Sequence, residues 1–336
     1  MPAVVVAVAA SSLGAWAAGA AAAAGWTAFA VTAVQFGTAF AVTAIGSKLV
    51  GQRNGAAAGS RERRETIRQS AANRRVIYGE MRTGGVLVYA ASDGENNKFC
   101  HQVIAISHGE VDSISPTQFW LNNELASDAK FAGLVTSQLF RGNAGQGTLV
   151  IPGHTDEWPA EARLEGVAFA YLKLEYKATA FTSGLPSASW LVRGRRLFDP
   201  RTGLTTWSAN PALCVLDYLR ADFGLNAPME LIDIPSFVAA ANVCDETVQS
   251  LYGPIKRYTC NGIVNLDGSP ASIVEALQSS CAGHLVFSGG RYRFYAGAYD
   301  APVVTITEQW LRDDPVIRVA PSRKDLFNTV KGLNVE

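Results

Sequence analysis

The hydrophobic and polar positions divide this chain into an apolar head and a mixed body. Residues 1–47 contain no charged side chain, and the 28 residues that follow carry seven arginines. Two apolar runs, 3–24 and 26–45, are each about 20 residues long, the length at which a helix spans a bilayer. Gly25 lies between them, so two short spans in a hairpin and one long apolar helix both fit the pattern. The pattern predicts an apolar helical segment over residues 1–50.

The composition of this head favours close helix packing at least as much as lipid insertion. Small residues let helix backbones approach closely, and Ala and Gly dominate the first run. No basic residue precedes the apolar stretch, so we expect it to remain in the mature protein rather than to be cleaved as a signal. The side chains that we expect to contact a tube lumen, a partner or a membrane are Trp16, Trp26, Phe29, Phe36 and Phe40.

After a Gly, Ala and Arg-rich linker over residues 51–73, the pattern predicts a β-rich unit over 74–200. Two β-rich runs flank Gly84 and Gly85, which predicts a hairpin over residues 75–91. Further extended segments are predicted at 103–114, 119–121, 148–151, 167–176 and 190–197. Long polar and glycine-containing insertions separate these segments.

The pattern over residues 201–300 predicts an α+β unit. Asn210 followed by Pro211, and Ser269 followed by Pro270, are N-cap signals that begin helices ending near Gly224 and Gly283. A further short helix is predicted from about Ser236. Residues 285–295 alternate around two glycines and predict a hairpin. Residues 301–336 are expected to form strands that return to the β-rich part and to continue beyond the given chain.

Composition narrows the function classes. The chain has 336 residues, no formal net charge and 48% hydrophobic residues, which allows a large core and gives no overall basic excess for nucleic-acid binding. The arginines of residues 53–75 fit a headgroup-facing or nucleic-acid-facing collar, although a solvated connector is the simpler interpretation. The five cysteines lack the close spacing of a zinc or redox motif, so we expect reduced, buried thiols.

The polar residues that could carry chemistry are few. His154, Asp156 and Glu157 lie together in one segment, and His108 and Glu110 in another, but neither has the helical HExxH spacing of a metalloprotease. The chain also lacks a GxSxG elbow and a P-loop. We therefore expect no catalytic residue, no metal ligand, no cofactor-binding residue and no enzyme activity.

Segments of the body resemble the hub region of the tail tip family typified by host-specificity protein J of lambda-like siphophages. The helix CVLDYLRADFGL resembles the family's "LWDML---YG", RYTCNG resembles "RITCNAY", and RKDLFNTVKGLNVE resembles "LKDRHNAVEVNW". The segments that carry the resemblance, in the family's order, are 104–124, 196–225, 236–248, 257–262, 271–295 and 323–336.

This resemblance implies an α+β fold with mostly β, barrel-like hub domains and an α+β insertion. It implies a homotrimeric baseplate hub in the virion tail tip, assembled in the host cytoplasm, that closes the tail tube, joins it to the central fibre and opens for DNA passage. The implied partners are the distal tail and other tail tip proteins. By physical reasoning, three apolar heads near the axis would plug the lumen, grip the tape-measure protein or contact a host membrane on infection.

Two other functions also fit the sequence. A tail-associated peptidoglycan hydrolase would use His154, Asp156 and Glu157, the most plausible polar cluster in the sequence. A cellular membrane-anchored binding protein would use the apolar head as a hairpin anchor.

Overall fold

The structure, a computed structural model, describes residues 66, 72–182, 184–251, 253–299, 304–305 and 307–310. The predicted apolar head lies outside the described residues, as do its five aromatic side chains, almost all of the 51–73 linker and the last resembling segment, 323–336. The described part is mostly β-sheet with few helices, as the sequence predicts.

Strands dominate the first half of the body and helices enter only in the second. The strands before the first helix are β1 Arg75–Tyr78, β2 Glu80–Thr83, β3 Val86–Asp93, β4 Phe99–His108, β5 Val111–Leu121, β6 Glu124–Leu125, β7 Val135–Phe140, β8 Val167–Glu175, β9 Ala188–Asp199 and β10 Leu204–Trp207. The elements that follow are α1 Pro211–Arg220, α2 Ile234–Asp245, β11 Thr247–Ser250, β12 Gly253–Lys256, β13 Gly262–Asn265, α3 Pro270–Ser279, β14 His284–Ser288 and β15 Arg291–Tyr295.

Two antiparallel sheets pack face to face in the β-rich part. One has the strand order β3-β4-β8-β7, and the other runs β10-β9-β5-β6, with β2 also paired to β9. Their facing side chains form one core, in which Ile104 and Leu172 of the first sheet pack with Trp190 of the second. The ring of Trp190 stacks on Phe119 at 4.9 Å between centroids. β4 and β8 are buried along most of their length, because alternate side chains enter this core and the others, among them Phe169, lie on the opposite, covered face.

The predicted hairpin around Gly84 and Gly85 is wrong, although both of its strands exist. β2 pairs with β9 and β3 pairs with β4, so the chain passes from one sheet to the other at the two glycines. A side chain at Gly85 would begin 2.1 Å from Cγ2 of Ile104 and 2.6 Å from the carbonyl oxygen of Ala105. These glycines therefore serve a close sheet-to-sheet crossing rather than a tight turn.

The α+β part has its own core, built from the three helices, the β14–β15 hairpin and the first strand of the body. Phe237 of α2 stacks on Phe294 of β15 at 5.5 Å. Val76 of β1 lies in the same core, and β1 pairs with β13 along its whole length. The N-terminal strand of the body thus completes the packing of residues that are nearly 200 positions away.

Most helix predictions hold at their N-termini and overshoot at their C-termini. The Asn210 side chain accepts hydrogen bonds from the backbone of Ala212 and Leu213, and Ser269 caps α3 in the same manner. α1 ends at Arg220 and α3 at Ser279, each four residues before the predicted glycine stop. α2 begins at Ile234, two residues before the predicted position, because Pro235 fits the first helical turn.

The predicted strand at 148–151 does not form. Leu149 and Ile151 are buried, but they pack on the outer face of the four-stranded sheet without a ladder partner. All residues between β7 and β8, 141–166, lack regular secondary structure. The alternating burial of Leu149 and Ile151 therefore reflects packing onto the sheet and not membership of a strand ladder.

One further sequence expectation concerns the cysteines. All five cysteines are buried and free of disulfides, as predicted. Among the helices of the described residues, none has both the length and the apolar character to cross a bilayer. The chain divides into two compact units, residues 1–297 and 298–336, and every element named above belongs to the first.

Candidate functional site

Three metal-ligating side chains converge where the β3–β4 hairpin meets the irregular segment 141–166. Asp93, His101 and His154 each present one ligand atom, and these three atoms lie within 4.8 Å of one another. Nε2 of His101 lies 3.2 Å from Oδ1 of Asp93, and Nε2 of His154 lies 3.7 Å from Oδ2 of Asp93. Residues that are far apart in the sequence are thus brought to one point.

The sheet explains how two of these residues meet. Asp93 is the last residue of β3, and β4 begins only six residues later, at Phe99. The pairing sets Asp93 opposite Phe99 and Ala91 opposite His101. Asp93 and His101 therefore lie on neighbouring strands, two positions apart in register, a diagonal separation that long side chains can span.

His154 approaches from the segment that covers the sheet. Leu149, Ile151 and Trp158 of this segment are buried against the outer face of the four-stranded sheet, where Phe169 and Tyr171 lie. The indole nitrogen of Trp158 donates to the carbonyl oxygen of Leu149 at 3.0 Å. The backbone of Trp158 donates to the carbonyl oxygen of His154 at 2.9 Å, which holds the 154–158 turn closed.

The inner atoms of the cluster are buried and have no hydrogen-bond partner. Nε2 of His101, Nε2 of His154 and Oδ1 of Asp93 are all in this state. Although His101 and Asp93 are close, the pair does not meet the geometry of a hydrogen bond. The side chain of His101 is 1% exposed, that of His154 11% and that of Asp93 37%, so water reaches the cluster mainly along the carboxylate.

The outer nitrogens of both imidazoles are engaged. Nδ1 of His101 lies 2.7 Å from the hydroxyl of Tyr171, and Nδ1 of His154 lies 3.2 Å from Oε2 of Glu157. The hydroxyl of Tyr89 donates to the same Glu157 oxygen at 3.2 Å. These contacts fix both rings so that each Nε2 points inward.

Electrostatics follows from burial of these groups. Burial lowers the pKa of His101, and the nearby Asp93 carboxylate offsets only part of that effect. Burial, with the charge of Asp93, raises the pKa of Tyr171 to about 12. Burial and Glu157 likewise raise the pKa of Tyr89. His101 is therefore neutral near pH 7, the form in which an imidazole nitrogen can bind a metal.

The structure brings together only part of the polar clusters identified in the sequence. His154 and Glu157 meet, whereas Asp156 is exposed and is not one of the converging groups. His108 lies at the other end of β4 from this cluster, edge-on to Phe223 at 5.8 Å, and Glu110 faces Arg141 at 3.7 Å. These two residues form no common site with His154.

Sequence reasoning missed Asp93 and His101. Two signals were available: an imidazole within the apolar strand 99–108, and an acidic residue at the end of the preceding strand. A histidine at an inward position of a strand needs a polar partner, because its ring nitrogens cannot be left unpaired at low cost. The partner from the irregular segment could not be predicted, since no periodicity fixes where such a segment crosses the sheet.

No protein-family model matches this chain, and no curated protein matches it either. Among solved structures, the chain is similar to a chain of the "Virion of native gene transfer agent (GTA) particle", with 19% sequence identity and a TM-score of 0.39. The match covers 78% of this chain and 66% of that chain, so this chain spans just under two thirds of its length. A TM-score of this size is too low to establish a shared fold.

Proposed function

We propose that this chain is a structural component of a phage-like tail tip, in the form of a homotrimeric baseplate hub. The hub would close the tail tube, connect it to a central fibre or receptor-binding part, and open for DNA passage. Its role would be mechanical, with burial of flat sheet and hairpin surfaces between copies as the main stabilising term.

The observation that carries the proposal is the way in which the resembling segments fold together. Buried residues of the segments within 196–295 share one core, and those segments supply α1 with its N-cap Asn210, most of α2 and α3, and the β14–β15 hairpin. Segment 104–124 supplies the second half of β4 and all of β5, which belong to the two facing sheets. These segments thus lie in the two cores of one folded unit and keep the family's order along the chain, which is consistent with the hub proposal.

Exposed apolar positions on short strands also support an assembly role. Phe287 of β14 is 59% exposed and Ile255 of β12 is 52% exposed, and each lies in a two-stranded hairpin. Leu204 is 61% exposed on β10, an edge strand of the five-stranded sheet. Exposed apolar side chains and free strand edges are usually covered by a partner. We propose that a second copy of the chain, related by the threefold axis, covers β10.

The apolar head adds a further part to this proposal. Three heads brought near the axis would be enclosed by protein rather than by lipid, and their small residues would allow close packing. Deletion of residues 1–50 would then leave the body folded but produce tails that leak DNA or fail to infect. Tails that assemble, remain closed and infect normally without residues 1–50 would refute this role of the head.

The experiment that tests the tail-tip function is localisation of the chain in the particle. The chain should sediment with particles on a density gradient, where an antibody against the body detects it. Gold-labelled antibody should mark one end of the tail. Recovery of the chain with cell membranes, and its absence from particles, would favour the membrane-anchored alternative and contradict the proposal.

A tail-associated peptidoglycan hydrolase is a second candidate, favoured by the Asp93, His101 and His154 cluster. Zymography on cell-wall substrate separates the two functions. Under the hub proposal, the wild-type chain and His154→Gln give the same empty gel. A clearing zone that disappears in His154→Gln would establish the hydrolase instead.

A further inference from the structure

We infer that Asp93, His101 and His154 bind one Zn²⁺ ion, which fastens the irregular segment 141–166 to the β3–β4 hairpin. The inference does not depend on the proposed tail-tip function. It rests on the geometry of the ligand atoms, on their lack of other partners, and on the residues that orient them.

The spacing of the ligand atoms suits a tetrahedral ion. Two ligands that each lie about 2.1 Å from a tetrahedral Zn²⁺ are separated by about 3.4 Å. Nε2 of His101 lies 3.2 Å from Oδ1 of Asp93 and Nε2 of His154 lies 3.7 Å from its Oδ2, and one ligand atom from each residue lies within 4.8 Å of the other two. Rotation of the side chains would bring one ligand atom from each residue to the same distance from one ion.

Apart from their contacts with one another, these ligand atoms have no polar partner within hydrogen-bond geometry among the described residues. Nε2 of both histidines and Oδ1 of Asp93 are buried without a hydrogen-bond partner. Buried polar atoms are seldom left in this state, because they lose hydration and gain nothing in return. Three such atoms that face one another are accounted for together by a single cation.

The surrounding residues have the arrangement that orients metal ligands. A histidine that binds a metal through one nitrogen usually donates its other N–H to a carboxylate, a carbonyl or another oxygen. Nδ1 of His154 lies 3.2 Å from Glu157 and Nδ1 of His101 lies 2.7 Å from the Tyr171 hydroxyl, so each ring could donate outward while Nε2 binds the ion. Tyr89 in turn donates to Glu157 and holds its carboxylate in place.

The donor set selects the type of ion. Two imidazole nitrogens and one carboxylate oxygen suit a borderline transition metal, whereas Ca²⁺ and Mg²⁺ prefer sites made entirely of oxygen. Three protein ligands leave one position for water on a four-coordinate Zn²⁺.

The position of the site gives the ion a structural role. Segment 141–166 has 26 residues and no regular secondary structure, which is unusual for a connection between two strands of one sheet. Its apolar side chains hold it to the sheet from one side, and His154 lies beside the sheet edge formed by β3. An ion shared between His154 and the hairpin would add a fixed point where backbone pairing is missing.

Metal binding by the purified full-length chain tests this inference. After the metal is stripped with chelator, Zn²⁺ is added back and the excess is removed by dialysis, the chain should retain one Zn²⁺ per polypeptide, measured by elemental mass spectrometry. Co²⁺ as a spectroscopic probe should give the intense visible bands of a tetrahedral site.

His154→Gln and Asp93→Asn should each weaken Zn²⁺ binding by at least about 100-fold, and Glu157→Gln by about 10-fold. His108→Gln, on the same strand as His101 but outside the cluster, is the matched control and should bind as wild type does.

A second measurement keeps the test valid if a variant does not fold. In the wild-type chain, removal of Zn²⁺ should speed proteolytic cleavage within 141–166 and leave cleavage elsewhere in the body unchanged. Failure to retain Zn²⁺, equal binding by wild type and His154→Gln, or a thiolate-to-cobalt charge-transfer band that places the ion on cysteine would each overturn the inference.

Discussion

The guanidinium of Arg201 donates to the carboxylate of Asp245 at 2.8 Å and thereby joins the turn after β9 to the end of α2. The same guanidinium forms a bidentate contact with Asp199, with its shortest N–O distance at 2.8 Å. All three side chains are largely buried. We expect Arg201→Ala to lower the free energy of unfolding by about 1–3 kcal/mol, because the partly buried Asp199 loses its cation and Asp245 keeps only Lys256. Urea denaturation measures this change.

Arg163→Ala is the control for that substitution. Its guanidinium lies 3.7 Å from Glu165, and both side chains are at least half exposed. An exposed ion pair of this kind changes stability by at most about 0.5–1 kcal/mol. Equal losses in the two variants would show that Arg201 does not hold the turn.

Acid stability should depend on Asp199. The hydrogen bonds from Arg201 hold the pKa of Asp199 below its ordinary value of 3.8. A carboxyl group whose pKa is lowered by folding contributes stability above its unfolded-state pKa, and this contribution is lost as the pH falls through the folded-state value. The free energy of unfolding should therefore fall below about pH 4 in wild type, and fall less steeply in Asp199→Asn. When Arg201 is already Ala, Asp199→Asn should no longer change how steeply the free energy of unfolding falls with pH. If Asp199→Asn has the same effect with and without Arg201, Arg201 is not the cause of the acid dependence.

The crossing between the two sheets should depend on Gly85. In Gly85→Ala, the new methyl group would meet Ile104 and the backbone of Ala105 at distances that require the strands to move apart. We expect a loss of about 1–3 kcal/mol in the free energy of unfolding, measured by thermal or urea denaturation. Gly147→Ala is the matched control, because a methyl group there meets nothing within 4 Å. Equal stability of the two variants would exclude a close crossing at Gly85.

Assembly should depend on the exposed side chain of Leu204. A charge at this position would face the interface that we propose for β10, so Leu204→Asp should abolish the trimer and leave the unfolding transition of the monomer almost unchanged. Thr205→Asp places the same charge on the opposite face of the strand and should assemble normally. Native mass spectrometry gives the oligomeric state, and circular dichroism confirms the fold. A trimer that persists in Leu204→Asp would exclude β10 from the interface.

Local signals in the sequence predict the second half of the body well. The N-caps at Asn210 and Ser269 each combine a side-chain acceptor with proline at the next position, and both helices begin there. The β14–β15 hairpin turns at Gly289 and Gly290, both with positive φ, as its sequence predicts. These features depend on residues that are close along the chain, so a single sequence is sufficient to place them.

Features that depend on distant residues could not be predicted in this way. The sequence predicts the two strands on either side of Gly85, but their partners lie in different sheets: β2 pairs with β9 and β3 with β4. Alternation of apolar and polar residues does not determine which strand pairs with which. The same limit applies to the candidate metal site. Asp93 and His101 meet through strand register, and His154 joins them only through the packing of an irregular segment onto the sheet.

The central claim of the proposed function is a threefold hub at the end of a tail, and electron cryomicroscopy of purified particles tests it most directly. The account predicts a reconstruction of the tail tip with three copies of the body around the axis, β10 at the contact between neighbouring copies, and the N-termini directed toward the lumen. A tail tip without density for this fold, or the fold found as single copies outside the particle, would contradict it.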